Sequence, residues 1–251
     1  MDYKDFTIQN NSGTHFWYRA RRVLINNLLG MIYKDYKADR LILEIGCGTG
    51  YQIPVLQKWG RVEGSDINLE AVKIAVSEGY NVKVKDLDRD DISDYNPEVI
   101  CLFDVLEHIQ NDKKVVENIY ASLQNKAYLF LTVPAYNFLF SDHDKAMEHY
   151  RRYSRKKIVD LLSQSGFQVI KSGYWNSLLF PGILLMRLFK NILSLFIKKE
   201  VYKSESSNLP SLLSNILFKV LQFENFLMTK NINFPWGLSI YIIAQKTKII
   251  K

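Results

Sequence analysis

Short apolar segments alternate with amphipathic segments along the first two thirds of the chain. The apolar segments are rich in β-branched residues and predict buried strands. They cover Leu41–Ile45, Val62–Asp66, Val82–Lys85, Val99–Phe103, Tyr128–Val133 and Phe167–Ser172. The amphipathic segments have helical periodicity and cover His15–Leu29, Leu69–Glu78, Asp112–Leu123 and Ser154–Ser165. This alternation predicts an α/β fold, with helices on both faces of a doubly wound sheet.

A long interruption separates the sixth predicted strand from a last apolar segment, Leu238–Gln245. It predicts an insertion at 175–235 within a domain formed by residues 1–174 and 236–251. Two amphipathic helices, Ile183–Lys199 and Pro210–Met228, are predicted to form a helical hairpin there. Their wide apolar faces and thin polar stripes are typical of helices that lie in a membrane interface. In the alternative interpretation, the helices bury these faces on each other and on the sheet.

Charge is distributed unevenly along the 251 residues, whose formal net charge is +7. Residues 1–175 hold 23 basic and 23 acidic residues, whereas residues 176–251 hold 10 basic and 3 acidic ones. A neutral body with a basic C-terminal third predicts that this third contacts an anionic partner. Because apolar helices dominate that third, peripheral membrane contact through 176–230 is favoured over nucleic acid.

The overall composition excludes several classes of protein. A chain with 47% hydrophobic and 24% charged residues is neither disordered nor of low complexity. Its two cysteines, Cys47 and Cys101, cannot build a disulfide scaffold or a four-cysteine zinc site. Acidic residues stand at the start, where a signal peptide needs basic ones. We therefore expect a cytoplasmic protein, either free or peripheral at the inner face of the membrane.

A glycine-rich turn follows the first predicted strand, with glycines at 46, 48 and 50. Glycines let the backbone pass close to a ligand, and a following helix N-terminus adds positive potential. A dinucleotide fingerprint would need a small residue where Tyr51 stands. Asp66 ends the second predicted strand, where a carboxylate can accept hydrogen bonds from both ribose hydroxyls. Together, the glycine turn and Asp66 predict a ligand of the adenosine type.

Four ordered motifs together resemble those of the class I S-adenosylmethionine-dependent methyltransferases. They are the glycine turn, Asp66, Asp86 and Leu106-Glu107-His108, which marks a subgroup with a Leu-Glu-His motif after the fourth strand. The resemblance extends over residues 15–175 and the last strand. It implies a Rossmann-like, seven-stranded mixed sheet with an antiparallel last strand, and S-adenosylmethionine as the cofactor.

The same resemblance implies a set of cofactor-binding residues. The glycines would contact the methionine part of the cofactor, Asp66 the ribose, and Asp86 with Leu87 the adenine, while Phe103 would line the sulfonium pocket. The full set is Glu44, Gly46, Cys47, Gly48, Gly50, Asp66, Ile67, Asp86, Leu87, Phe103 and His108. His108 is expected on the helix after the fourth strand, on the cofactor side of the site.

The loop after the fifth predicted strand carries the candidate catalytic residues. Methyl transfer is an in-line displacement, so the enzyme mainly positions the acceptor and supplies a base for a hydroxyl or amine nucleophile. His143 and His149 are the candidate bases, because imidazole titrates near neutral pH. Tyr136, Arg151 and Arg152 are the candidate substrate-binding residues, with the two arginines directed at an anionic group.

A structural role is the alternative for this loop. In that interpretation, the histidines and arginines anchor the loop through ion pairs with Asp142, Asp144 and Glu148. Two histidines among three acids can also indicate a metal site, but ion pairs with the arginines account for the presence of the acids equally well. No metal site is therefore predicted.

We expect a methyltransferase that acts on an oxygen of an apolar or lipid-linked small molecule, such as a quinone-like ring or a polyprenyl-linked sugar. An RNA methyltransferase is one alternative, motivated by the basic charge. A catalytically silent scaffold subunit that binds S-adenosylmethionine is another, because a glycine turn alone does not imply catalysis.

Overall fold

The computed structural model describes residues 15–90, 92–185 and 209–247. Seven strands form one sheet, in the order β3-β2-β1-β4-β5-β7-β6. They are β1 Lys37–Ile45, β2 Gly60–Asp66, β3 Val82–Val84, β4 Val99–Phe103, β5 Tyr128–Pro134, β6 Phe167–Trp175 and β7 Ser239–Lys246. Strand β7 runs antiparallel to both of its neighbours, β5 and β6, whereas the pairs among β1 to β5 are parallel. The predicted doubly wound mixed sheet is confirmed.

Five helices of the described residues lie close to their predicted positions, and two short ones, at 53–56 and 142–146, form where no helix bounds are predicted. They are α1 Phe16–Gly30, α2 Ile53–Leu56, α3 Leu69–Ser77, α4 Asp112–Ser122, α5 Asp142–Ala146, α6 Arg155–Gln164 and α7 Ser211–Thr229, with a further helical segment at 180–185. Ser154 caps α6 as predicted, since its side chain accepts a hydrogen bond from the amide of Lys157. Asn68 caps α3 in the same way, and thereby fixes the chain immediately after β2.

Strands β1 and β6 exceed the bounds that the apolar pattern predicts by three or more residues. Strand β1 begins at Lys37, four residues early, because Lys37 pairs with Gly60 before an irregularity in the register. Strand β6 continues to Trp175, because it pairs with β7 as far as Ser239. Pairing with a neighbour can extend a strand beyond its apolar residues, because the ladder hydrogen bonds involve the backbone alone.

The sheet has an apolar core on each face. Alternate residues of β4 enter opposite cores, with Cys101 on one face and Ile100 on the other. Helices α1, α2, α3 and α7 cover the first face, and α4 and α6 cover the second. Cys47 and Cys101 are free and buried in the first core.

Helix α7 confirms the second predicted helix of the insertion, but it buries polar side chains against the body of the protein. Asn225 receives a hydrogen bond from Trp175 Nε1 at 3.0 Å and donates one to the carbonyl of Ala20 on α1 at 2.9 Å. The buried carboxylate of Glu224 accepts hydrogen bonds from the amides of Ser177 and Leu178. These directed contacts orient α7 so that an apolar stripe faces outwards.

The first predicted helix of the insertion, Ile183–Lys199, lies mostly outside the described residues, with 183–185 belonging to the helical segment at 180–185. In the described part of the chain, no helix has the length and apolar character needed to cross a membrane.

Candidate active site

The glycine turn after β1 has the backbone conformation that its sequence predicts. Gly46, Gly48 and Gly50 have φ values of +71°, +54° and +81°, which side-chain-bearing residues rarely adopt. The amides of Gly46 and Cys47 both donate to the carbonyl of Ser65 on β2, at 2.7 and 3.1 Å. A Cβ on Gly46 would lie 2.5 Å from Cγ2 of Val105, so the turn and the loop after β4 pack closely. The turn is therefore held in one shape by its neighbours.

Asp66 connects the end of β2 to this turn. One carboxylate oxygen accepts from the amide of Gly48 at 2.7 Å, and the other accepts from the amide of Asn68 at 2.8 Å. Burial raises the pKa of Asp66, and these backbone hydrogen bonds oppose the shift. A carboxylate has about four acceptor positions, so Asp66 can still accept a hydrogen bond from a ligand hydroxyl. The carboxylate thus shapes the turn and can also bind a ligand.

Glu44 lies at the end of β1, beneath the turn, and is buried. Burial raises its pKa to about 8. One of its oxygens has no hydrogen-bond partner among the described residues. A buried, unpartnered acceptor beside a glycine turn fits a site that is completed by a polar ligand.

Helix α1 covers the turn with aromatic and basic residues. Arg22 donates to the carbonyl of Tyr51 and lies 3.9 Å from the centre of its ring. The ring of Tyr18 meets the same ring edge-on, at 5.4 Å between centroids. Arg21 reaches further, to Asp104 after β4 at 3.1 Å and to Thr132 on β5 at 3.1 Å. Helix α1 therefore joins the glycine turn to the ends of the central strands.

The predicted adenine-side residues lie on the segments after β2 and β3. Ile67 is two-thirds exposed, and Asp86 and Leu87 are half-buried. Asp86 accepts from the amide of Asp88 and pairs with Arg89. On this side the site is open, with an apolar surface from Ile67 and Leu87.

The end of β4 carries Phe103, which is buried, and Asp104, which adopts a φ of +58°. Asp104 is held in this conformation by Arg21 and by the hydroxyl of Thr132 at 2.9 Å. The Leu-Glu-His motif follows as a single 3-10 turn, Leu106–His108. His108 therefore lies on this turn, ahead of α4, rather than on the helix where it is expected. Burial, followed by the nearby His149, lowers the pKa of His108 to about 4.

His149 follows α5 and meets His108 edge-on, with ring centroids 4.5 Å apart. Its Nδ1 lies 3.0 Å from a carboxylate oxygen of the buried Asp144, which fixes the orientation of the ring. Burial by itself would raise the pKa of Asp144, but hydrogen bonds from His149 and Arg152 outweigh it and hold that pKa well below its usual range. His149 thus presents its Nε2 edge from a rigid support. His143, the other candidate base, lies on α5 and outside the cluster that His149 forms with Glu107 and His108.

Both candidate substrate-binding arginines have partners within the protein. Arg152 is buried and donates to Asp144 at 2.7 Å. Arg151 pairs with Asp112 at 2.8 Å and donates to the carbonyl of Gln110. These contacts agree with the structural interpretation, in which the arginines anchor the loop through ion pairs. Arg152 pairs with Asp144, one of the three acids expected there, whereas Arg151 pairs with Asp112, which was not expected.

Tyr136, the third candidate substrate-binding residue, lies at the carboxyl end of β5 with a φ of +60°. Its ring stacks on that of Tyr174 at 5.4 Å, and Phe138 and Phe180 complete an aromatic cluster around it. A left-handed conformation at an aromatic residue is uncommon and often marks a functional position. The cluster is apolar, which suits an apolar ligand.

Sequence reasoning missed the structural importance of Arg21, and it named Asp144 only as one of three acids that could anchor the loop. The spacing of Ser141 and Asp144 does contain a signal, because an acid three residues after a serine forms a capping box at the start of α5. Arg21 has no comparable local signal, since its partners lie far away in the sequence.

Comparisons with known proteins agree with this geometry. The profile of a family described as "Methyltransferase domain" matches residues 16–172. No curated protein sequence matches the chain. A SAM-dependent methyltransferase from Archaeoglobus fulgidus has a similar structure, with 17% identity, a TM-score of 0.54, and coverage of 90% of this chain and 94% of that one.

Two further structures are similar at low identity. A complex between the Haloferax volcanii Trm112 methyltransferase activator and its methyltransferase gives 13% identity and a TM-score of 0.60, over 98% of this chain and 95% of the other. Phosphoethanolamine N-methyltransferase 2 of Haemonchus contortus, in complex with S-adenosyl-L-methionine, gives 16% identity and a TM-score of 0.56, over 89% of this chain and 52% of that one.

The family match covers more than half of the chain, including the glycine turn and the Leu-Glu-His turn. The strand order places those two motifs directly after β1 and β4, which are adjacent central strands. The chain belongs to the methyltransferase-domain family and is a class I S-adenosylmethionine-dependent methyltransferase.

Proposed function

We propose that this enzyme transfers a methyl group from S-adenosylmethionine to an oxygen of an apolar or lipid-linked small molecule. The observation that carries the proposal is the position of His149. Asp144 holds its Nδ1, and its ring lies against His108, just after β4. The experiment that tests it is incubation of lipid extracts with enzyme and isotopically labelled S-adenosylmethionine. A labelled lipid product is expected; label in RNA alone, or in no product, would contradict the proposal.

The cofactor site is proposed at the glycine turn and the ends of β1 to β4. S-adenosylmethionine, when bound, supplies a methyl carbon activated by the adjacent sulfonium. The turn admits the cofactor's methionine part because its glycines have no side chains. Asp66 binds the ribose through its remaining lone pairs, and Ile67 and Leu87 offer an apolar surface for the adenine, next to Asp86. Glu44, Cys47 and Phe103 line the floor of the site.

Asp66 gives a direct test of that site. We expect Asp66→Ala to weaken binding of S-adenosylhomocysteine by about 1.5–3 kcal/mol, because charge-assisted hydrogen bonds to the ribose are lost. Asn68→Ala is the matched control, since it removes the side-chain cap of α3 next to the turn but keeps the Asp66 carboxylate and the Asn68 backbone amide that donates to it. Titration calorimetry measures both variants. Equal affinity of Asp66→Ala and wild type would remove Asp66 from the site.

His149 is proposed to take the proton of the acceptor hydroxyl. Its Nδ1 is engaged by Asp144, so Nε2 is the nitrogen directed at the acceptor. This arrangement of carboxylate, imidazole and nucleophile fixes the tautomer and stabilises the imidazolium that forms. Tyr136 and its aromatic neighbours are proposed to hold the apolar part of the acceptor. His108 lies against the ring of His149.

The apolar nature of the acceptor is supported by the outer face of α7. Leu212, Ile216, Phe223 and Phe226 lie on one exposed stripe of this helix, at helical spacing. Lys219 and Lys230 belong to the same stripe, and Lys230 lies 5.6 Å from the ring of Phe226. An apolar stripe with interspersed cations suits the boundary between lipid chains and anionic headgroups. We therefore propose peripheral contact between this stripe and a membrane.

Vesicle co-sedimentation tests this contact. The wild-type protein is expected to sediment with anionic vesicles, less so as salt rises, because the lysine contribution is screened. Phe223→Ser with Phe226→Ser should leave the protein in the supernatant, since each buried aromatic contributes roughly 1.5–3 kcal/mol. Leu69→Ser with Val76→Ser, on α3, is the matched control. Its two side chains are as exposed as Phe223 and Phe226, since all four are 51–56% exposed. A wild-type protein that sediments with neither neutral nor anionic vesicles would contradict the contact.

A further inference from the structure

Glu107, His108 and His149 form a compact cluster at the end of β4. One potential metal-ligating atom from each residue lies within 4.8 Å of the others. Glu107 and His108 come from the 3-10 turn after β4, and His149 comes from the loop after α5. The amide of Tyr150 donates to the carbonyl of Glu107 at 2.8 Å, which fixes the two segments side by side. The cluster therefore does not depend on side-chain positions alone.

Glu107 is fully buried, and neither of its carboxylate oxygens has a hydrogen-bond partner among the residues that the structure describes. Two arginines lie near enough to act on it electrostatically, but each has another acid as its direct partner. Arg21 pairs with Asp104 at 3.1 Å, and Arg152 pairs with Asp144 at 2.7 Å. Buried carboxylates are normally hydrogen-bonded, paired with a cation or bound to a metal. Glu107 thus lacks the partner that its burial requires.

Both histidines have the outer hydrogen bonds that are typical of metal ligands. A ring nitrogen of His149 is held by the carboxylate of Asp144, and the ring of His108 is hydrogen-bonded to the backbone of Met147. A carboxylate or carbonyl partner of this kind orients the ring and leaves the second nitrogen for the metal. The two imidazoles therefore offer one oriented nitrogen each.

We propose that Glu107, His108 and His149 bind a divalent transition-metal ion. Two imidazoles and one carboxylate are a donor set that Zn²⁺ uses in catalytic sites, where a fourth position stays open. Ligand atoms around a tetrahedral zinc lie about 3.3 Å apart, given bonds near 2.0 Å. The three side chains need to close by about 1.5 Å at most, a movement within the range of small side-chain rotations.

This inference rests on the proposed function and deepens it. In that function Nε2 of His149 takes the acceptor's proton when no ion is bound. With an ion bound, Nε2 would be a metal ligand instead, and the ion would lower the pKa of the acceptor hydroxyl so that its proton passes to water. Arg152 and Asp144 keep their role as the support of His149 in either case.

Titration of the metal-free full-length protein with zinc chloride tests the site. After removal of metals with a chelator, the wild-type protein is expected to bind one equivalent of Zn²⁺, and calorimetry should find Mn²⁺ weaker and Mg²⁺ weakest. Glu107→Gln, His108→Ala and His149→Ala are each expected to weaken Zn²⁺ binding at least a hundredfold. His143→Ala is the matched control, because it removes a histidine that lies outside the cluster. It should bind Zn²⁺ as the wild type does.

A second measurement separates loss of the site from loss of the fold. Saturating Zn²⁺ should raise the melting temperature of the wild type and of His143→Ala, but not that of Glu107→Gln. S-adenosylhomocysteine titration of the same variants reports the cofactor site independently, so the two proposals fail separately. The metal site is wrong if the wild type binds no Zn²⁺, or if the three cluster variants bind it as tightly as the wild type. Retained cofactor binding in that case would leave the methyltransferase function in place.

Discussion

Replacing Gly46 by alanine is expected to destabilise the protein by about 2–5 kcal/mol. The φ of +71° costs a side-chain-bearing residue about 1–2 kcal/mol. The new Cβ would also lie 2.5 Å from Val105, and forcing extra atoms into a packed region typically costs about 1–3 kcal/mol. Because the same turn is the proposed site of the cofactor's methionine part, S-adenosylhomocysteine binding should fall with stability. Denaturant unfolding and calorimetry measure the two effects.

Gly79→Ala separates the two contributions to this loss. Gly79 has a similar φ of +85°, but a Cβ there would meet no atom within 4 Å. The Gly79→Ala protein should therefore lose only the stability that a positive φ costs a side-chain-bearing residue, and it should keep its affinity for S-adenosylhomocysteine. If Gly46→Ala unfolds at the same denaturant concentration as Gly79→Ala, the close packing of the turn against Val105 does not contribute to stability.

Replacing His149 by alanine is expected to lower methyl transfer by roughly a hundredfold, the lower end of the range for a positioned acid or base. Asp144 holds the His149 ring by Nδ1, and the ring lies against His108, which follows β4. The result is expected whether Nε2 takes the proton directly or holds a metal ion. Turnover is measured as label transferred from S-adenosylmethionine to the lipid product.

Two further measurements make that result specific to catalysis. Binding of S-adenosylhomocysteine should change little in His149→Ala, because His149 is not among the proposed cofactor-binding residues. Lys145→Ala, on the same loop, removes only an exposed ion pair with Asp142 and should transfer methyl groups at the wild-type rate. Unchanged turnover in His149→Ala would leave the loop histidines with a structural role and would favour a scaffold subunit.

Local sequence signals were sufficient for most of the architecture. Strand β4 has the predicted bounds, Val99–Phe103, because a fully buried parallel strand is a continuous apolar segment with turn residues at each end. Helix α6 begins after Ser154, because a cap acts on amides only a few residues away. The glycine turn was equally readable, since positive φ values restrict the residue type at each position.

The outward face of α7 could not be read from its sequence. The apolar pattern of Pro210–Met228 is compatible with a helix that buries its apolar side. In the structure, the polar side chains of Glu224 and Asn225 are completely buried instead, and an apolar stripe is exposed. Their partners, Ser177, Trp175 and Ala20, lie 47 to 205 residues away along the chain. Directed hydrogen bonds to distant groups override an amphipathic pattern, because buried polar side chains must be satisfied.

The sequence by itself determined the order of strands and helices, the glycine turn and the family, because these depend on patterns within short stretches of chain. Only the tertiary structure decided which side chains of the loop after β5 face each other. It joined Arg152 to Asp144 and set His149 beside His108, across 41 residues of sequence. It also buried Glu107 without a partner among the described residues. Such contacts between separate loops are fixed by how the strands end at one edge of the sheet, and no local pattern encodes them.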